Sequence, residues 1–109
     1  MTTIDFSRVV TAEQRAADAF TLAMTEYSSA IQAHLEAKAR ERRYDSLQSA
    51  VSYRNDANPQ FAAEAEALFA WRSAVWTYAT AELGRVTAGE RAQPTVAEFI
   101  AELPAFVWP

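Results

Sequence analysis

His34 is the first residue to weigh for chemistry, and it is the only histidine in the chain. With a single imidazole and no cysteine, the sequence presents neither the ligand set of a zinc site nor the base–nucleophile pairing of a hydrolase. On a helical reading His34 lies beside Ile31 and Leu35, so a partly buried or surface histidine is expected. Glu64 and Glu66 are two residues apart and point to different faces of a helix, which rules them out as a paired acid and base. There is no Gly-rich phosphate loop, no HExxH and no GxSxG. A catalytic group assembled from distant parts of the chain is not signalled. The expectation is a chain with no catalytic residue, no metal ligand and no cofactor, and therefore not an enzyme.

Lys38-Ala-Arg-Glu-Arg-Arg43 is the one basic cluster. Its place near a helix C-terminus suits the macrodipole, which favours cations there. A phosphate or nucleic-acid site is the lesser alternative, because the cluster is short and carries no interleaved aromatics for bases to stack on. The net charge of −4 and pI of about 4.9 argue against general nucleic-acid binding.

The aromatic residues offer a different chemistry. Trp71, Arg72, Trp76 and Tyr78 crowd one stretch, and Phe106 and Trp108 close the chain. Core burial accounts for such residues in most proteins. The sharper alternative is a partner-binding patch, since Trp, Tyr and Arg dominate interface hot spots. These six residues are the candidate partner-binding set. Arg72 is expected to stack on a ring or to pair with a carboxylate such as Glu36 or Asp56.

The element that must position most of them runs through residues 58–86. Asn58-Pro59 is a strong helix start: Asn accepts from free backbone N–H groups, and Pro at the first helical position loses no needed donor. Glu64 and Glu66 sit near the positive end of the dipole. No Gly or Pro interrupts Pro59 to Leu83, a run of about 37 Å at 1.5 Å per residue. Phe61, Ala65, Leu68, Val75, Ala79, Leu83 and Val86 recur at three- and four-residue steps. Phe69 and Trp76 widen this stripe, and Trp71, Val75, Tyr78 and Glu82 form a row beside it. So broad an apolar surface predicts packing on two sides.

Upstream, Thr11-Ala-Glu-Gln14 is a capping box that opens a helix with Phe20, Met24, Tyr27, Ile31 and Leu35 on one face. Asp45, with Gln48 three residues on, predicts the start of a short helix carrying Leu47 and Val51. Arg54 to Pro59 is turn chemistry. Gly84 and Gly89 weaken the end of the long helix. Thr95-Val-Ala-Glu98 is a second capping box, opening a helix with Val96, Phe99, Ile100 and Leu103 that Pro104 stops. Residues 1–11 read as an extended arm in which Ile4, Phe6, Val9 and Val10 dock on this chain's own helices or add to a partner. The apolar tail 104–109 packs back or is presented.

These elements form one domain of 109 residues with 24 alanines and two glycines. The fold class predicted is all-α: two long antiparallel helices, about 12–43 and 59–88, a short connecting helix and a short C-terminal helix. No apolar run approaches a membrane span, and Asp5, Glu13 and Asp18 make the first twenty residues unlike a signal peptide, so the expected compartment is the cytoplasm of the producing cell.

Several blocks look familiar together. Ile4-Asp-Phe-Ser-Arg-Val-Val-Thr-Ala-Glu-Gln-Arg-Ala-Ala17 resembles the N-terminal stretch of small proteins from tail-fibre regions of tailed phages and prophages. Arg43-Tyr-Asp-Ser-Leu-Gln-Ser-Ala-Val-Ser-Tyr53, followed by Phe61, Glu64, Ala70-Trp-Arg72 and Val75-Trp76, resembles a module of the same proteins. So does Pro94-Thr with Glu98-Phe-Ile-Ala-Glu-Leu-Pro104 and the terminal Trp-Pro, an order loosely similar to the C-terminal part of tail-fibre assembly proteins. Two departures stand out: those proteins often have Gly where this chain has Arg43, and an acidic residue where it has Ser73. The resemblance implies a non-enzymatic tail-associated protein that helps a fibre fold, trimerise or attach in the bacterial cytoplasm. An adaptor retained in the virion tail is the alternative, and a small nucleic-acid-binding regulator the lesser one. The implied partner is a tail-fibre or other tail protein, with self-association a further option, and no nucleic acid or membrane.

Overall fold

The computed structural model describes residues 11–109, so the expected arm at 1–10 lies outside the described residues. Four helices follow in order: α1 (Ala12–Arg40), α2 (Leu47–Val51), α3 (Pro59–Thr87) and α4 (Val96–Glu102), with no strand among the described residues. The all-α class with two long helices is the observed one.

Local chemistry sets the helix starts. Thr11 Oγ1 accepts from the Gln14 N–H at 3.0 Å, and Thr95 Oγ1 accepts from the Glu98 N–H at 3.1 Å. Asn58 Oδ1 accepts from the N–H groups of Gln60 (2.9 Å) and Phe61 (3.3 Å), with Pro59 opening α3. At α2 the cap is Ser46 and not Asp45: Ser46 Oγ accepts from the Ser49 N–H at 3.0 Å. A carboxylate from outside the segment adds to it, since Glu36 Oε2 on α1 accepts the Leu47 N–H at 2.8 Å.

The two long helices end alike. The Tyr44 N–H reaches the Ala39 carbonyl and the Arg43 N–H the Arg40 carbonyl, while the Glu90 N–H reaches Arg85 and the Gly89 N–H reaches Val86. Both are Schellman closures, which need one residue in the left-handed region. Gly89 takes it at φ 75, and Arg43 takes it at φ 67. This closure ends α1 at Arg40, short of the predicted residue 43, and α3 at Thr87.

α1 and α3 run antiparallel. His34 meets Trp71 (ring centroids 5.6 Å apart), and seven residues earlier on α1 Tyr27 shares Phe99 with Tyr78, seven residues later on α3. Every fourth residue of α1 faces inward: Tyr27, Ile31, Leu35 and Ala39 are all buried. Leu68, Trp71, Val75 and Ala79 answer from α3, with Leu47 and Ala50 of α2 joining them. Burying each Ile or Leu contributes about 1.5–3 kcal/mol.

A third layer covers this seam. Phe99 of α4 is wholly buried against Tyr27 and Tyr78, at 5.4 and 6.3 Å between centroids. The tail then runs along the helix pair: Phe106 lies on Trp71 at 5.0 Å, and Trp108 lies under the Arg42 guanidinium at 4.8 Å. The loop before α4 is held by Arg91, whose guanidinium contacts Glu82 at 2.9 Å and Glu102 at 2.6 Å. The Tyr27 hydroxyl donates to the Pro94 carbonyl.

Candidate functional site

α3 carries two rows of large side chains, displaced around its axis by about a third of a turn at 3.6 residues per turn. The inner row is Leu68, Trp71, Val75 and Ala79, buried beneath α1, α4 and the tail. The outer row lines an open groove of about 720 Å³ formed by Phe69, Arg72, Ser73, Trp76, Thr77, Thr80 and Ala81. All seven belong to α3. The expected packing on two sides is realised on the inner side, while Ser73, Thr77, Thr80 and Ala81 are exposed and Phe69, Arg72 and Trp76 half-buried.

The six candidate partner-binding residues divide between these two surfaces. Trp71 is 5% exposed; its indole Nε1–H donates to the Pro104 carbonyl at 2.7 Å and its ring is enclosed by His34 and Phe106. The Tyr78 hydroxyl donates to Glu102 Oε1 at 2.9 Å, and this bond to a carboxylate raises the Tyr78 pKa. Phe106 and Trp108 contact each other at 4.8 Å, and Trp108 Nε1–H donates to Glu41 at 3.4 Å. These four hold the C-terminal segment to the body. The tail 104–109 thus takes the first of its two expected options. Arg72 and Trp76 face the outer groove.

Arg72 stacks and does not pair: its guanidinium is 5.7 Å from the centre of the Phe69 ring. Glu36 is occupied by Leu47 and by Gln32 Nε2, and Asp56 accepts the Asn58 N–H. No carboxylate among the described residues pairs with Arg72. Phe69 also meets Arg54, 3.7 Å from the ring centre, which is itself bonded to Glu66 at 3.1 Å. The Trp76 indole N–H meets no acceptor among the described residues, in contrast to Trp71. Phe69, Ser73, Thr77 and Thr80 also belong to this surface, although their residue types do not mark them as partner-binding. Their signal was the three- and four-residue spacing from Phe69 to Thr80, which lies partly outside the apolar pattern because three of the residues are hydroxylic.

The charged clusters are spent internally. Glu64, 4% exposed, accepts from Arg42 at 2.9 Å and from the Tyr44 hydroxyl at 3.0 Å. Burial, and then the Glu64 carboxylate, push the Tyr44 phenol up to about 12. Nothing in spacing announces this triad, because Glu64 stands 20 and 22 residues from its partners. In the basic cluster Lys38 pairs with Glu41 at 2.9 Å and Arg42 with Glu64, leaving Arg40 and Arg43 exposed. His34 is half-buried beside Trp71, at the edge of a smaller cleft of about 360 Å³ between α1 and the tail. Among the described residues no three of His, Asp and Glu converge as metal ligands, and no helix is long and apolar enough to cross a membrane.

No protein-family model, no curated protein and no solved structure matches the chain.

Proposed function

We propose that this chain is a non-enzymatic interaction protein of a phage or prophage tail, which seats a tail-fibre or other tail protein on the outer face of α3 and thereby helps the fibre fold or attach. Assembly would take place in the cytoplasm of the bacterial host. One observation carries the binding part of this reading: α3 turns a second row of mixed apolar and hydroxylic side chains outward, with Trp76, Phe69 and Arg72 along one groove. Trp and Arg at a common, partly desolvated surface are the side chains that carry most binding energy in protein interfaces. The phage setting is supported by the sequence resemblance alone, above all by the Arg43–Tyr53 block, the Trp71-Arg72 pair and the Pro94–Pro104 ending.

The test is affinity capture from phage-producing cells with the wild-type chain and with Thr77→Arg. Thr77 is exposed on the groove floor, so the added arginine blocks the groove without entering the core. Fibre or another tail protein captured by wild type and lost with Thr77→Arg, at unchanged melting temperature, is the expected result. Equal capture by both would remove the outer face of α3 from the reading. Mass spectrometry of purified particles then separates the two roles. Stoichiometric peptides identify an adaptor retained in the virion, whereas absence from particles with presence in the lysate identifies an assembly factor.

A further inference from the structure

The outer groove also constrains what kind of partner fits it. It runs from Phe69 to Ala81 along a single helix, about 18 Å at 1.5 Å per residue, or roughly three turns. Its wall is the side of α3, whose backbone N–H and C=O groups are consumed inside the helix. An extended peptide laid there would find no backbone partner, so strand addition has no purchase. A helix brings its own backbone bonds and offers side chains alone. The groove suits that: Phe69 and Trp76 form ridges, and Ser73, Thr77, Thr80 and Ala81 form a low floor into which side chains of a second helix can settle.

Charge adds the second constraint. Arg72 is the one ionised side chain among the lining residues, it is half-buried, and no described carboxylate pairs with it. Arg54 reinforces the positive potential at the Phe69 end, although Glu66 partly offsets it. In a chain of net charge −4 this is a local cationic spot set among apolar side chains. An arginine held against a ring beside an apolar groove is best answered by a carboxylate, which it engages through two parallel N–H···O bonds.

We infer that the groove Phe69–Ala81 takes an amphipathic α-helix of a partner protein, about three turns long, whose apolar stripe carries an Asp or Glu that pairs with Arg72. This rests on the proposed binding role of the outer α3 face and names the chemistry of its partner.

The experiment is a selection from a display library of helix-constrained peptides on the immobilised full chain, followed by solution binding of the enriched peptides. Enriched sequences are expected to place an acidic residue within one turn of two large apolar residues. Changing that acid to its amide is expected to weaken binding about fivefold or more on wild type, and by less than about twofold on Arg72→Gln, the signature of a direct charge pair. Thr77→Arg should abolish binding of every enriched peptide while leaving the helical circular dichroism intact. Peptides that need the open groove but no acid would overturn the partner chemistry and leave the binding face standing. Peptides indifferent to Thr77→Arg, or no enrichment at all, would overturn both. Concentration-dependent self-association in sedimentation, abolished by Thr77→Arg, would make the occupant a second copy of this chain and overturn the inference in favour of a homo-oligomer.

Discussion

Two tryptophans five residues apart on α3 have opposite fates. Trp71 is closed in by His34, Phe106 and the Pro104 carbonyl, whereas Trp76 lies along an open groove with its indole N–H unbonded among the described residues. The two side chains are chemically identical, so the difference comes from what crosses each face. The inner face has α1, α4 and the C-terminal tail laid over it, whereas the outer groove is lined by α3 alone, with Trp76 half-buried against the edge of the core. The lesson is that an apolar residue on a helix is structural or recognitional according to the chain segment that reaches it. Its type does not decide the matter.

Breaking the inner face should have the largest effect. Phe99→Ala removes the wholly buried ring that joins Tyr27 to Tyr78, and a loss of about 3–5 kcal/mol in urea unfolding is expected. The tryptophans sharpen the comparison directly. Trp71→Phe keeps a ring but leaves the Pro104 carbonyl without its donor, for an expected loss of about 1–3 kcal/mol. Trp76→Phe should stay within about 0.5 kcal/mol of wild type while lowering partner affinity. Equal losses for the two substitutions would erase the distinction between the faces.

Alkaline pH probes the inner side in another way. Tyr44 is held neutral against Glu64, with its pKa pushed up to about 12, and the phenols of Tyr27 and Tyr78 are also raised. Above pH 10 an unfolded chain releases these protons while the folded one keeps them, so the unfolded state binds fewer protons and stability falls as pH rises. The stabilisation is complete below about pH 10 and is lost as pH climbs through about 12. Urea midpoints measured between these limits should fall steadily, with a shallower fall in Tyr44→Phe. A flat profile would mean that the Tyr44–Glu64 contact does not persist in solution.

The helix ends provide the smallest contrast. Gly89 and Arg43 occupy the same left-handed position in two matching closures. Arg43→Gly is expected to gain about 0.5–1 kcal/mol, and Gly89→Ala to lose about 1 kcal/mol, since only glycine enters that region without a Cβ clash. Thermal denaturation of both variants, shifting in opposite directions, would establish the equivalence.

Much of the fold was legible because its signals are local. Thr11, Asn58 and Thr95 cap within three residues of themselves, Pro59 opens α3, and the apolar period is complete within a few turns. Where the structure departs from the local signals, a distant group intervenes or two neighbours compete. Ser46 took the cap expected of Asp45, and Glu36 arrived from α1 to complete it. α1 stops within the basic run, at Arg40, because Tyr44 folds back to Ala39, a bond that spacing alone does not announce. Of the candidate site, the six aromatic and arginine residues were recognisable by type, but their division between two surfaces was not.

The sequence by itself determined four helices, their order and three of their four N-caps at single-residue precision, because hydrogen bonds to neighbours two or three residues away depend on little else. Only the tertiary structure decided which face of α3 is covered. That depends on Pro104 and Phe106, which lie more than thirty residues along the chain from the Trp71 they cover, on Phe99 against Tyr78, and on contacts such as Arg42–Glu64 that no periodicity encodes. Burial is a property of the assembled surface, and one helix with large aromatic side chains on two rows does not specify which row its neighbours will take.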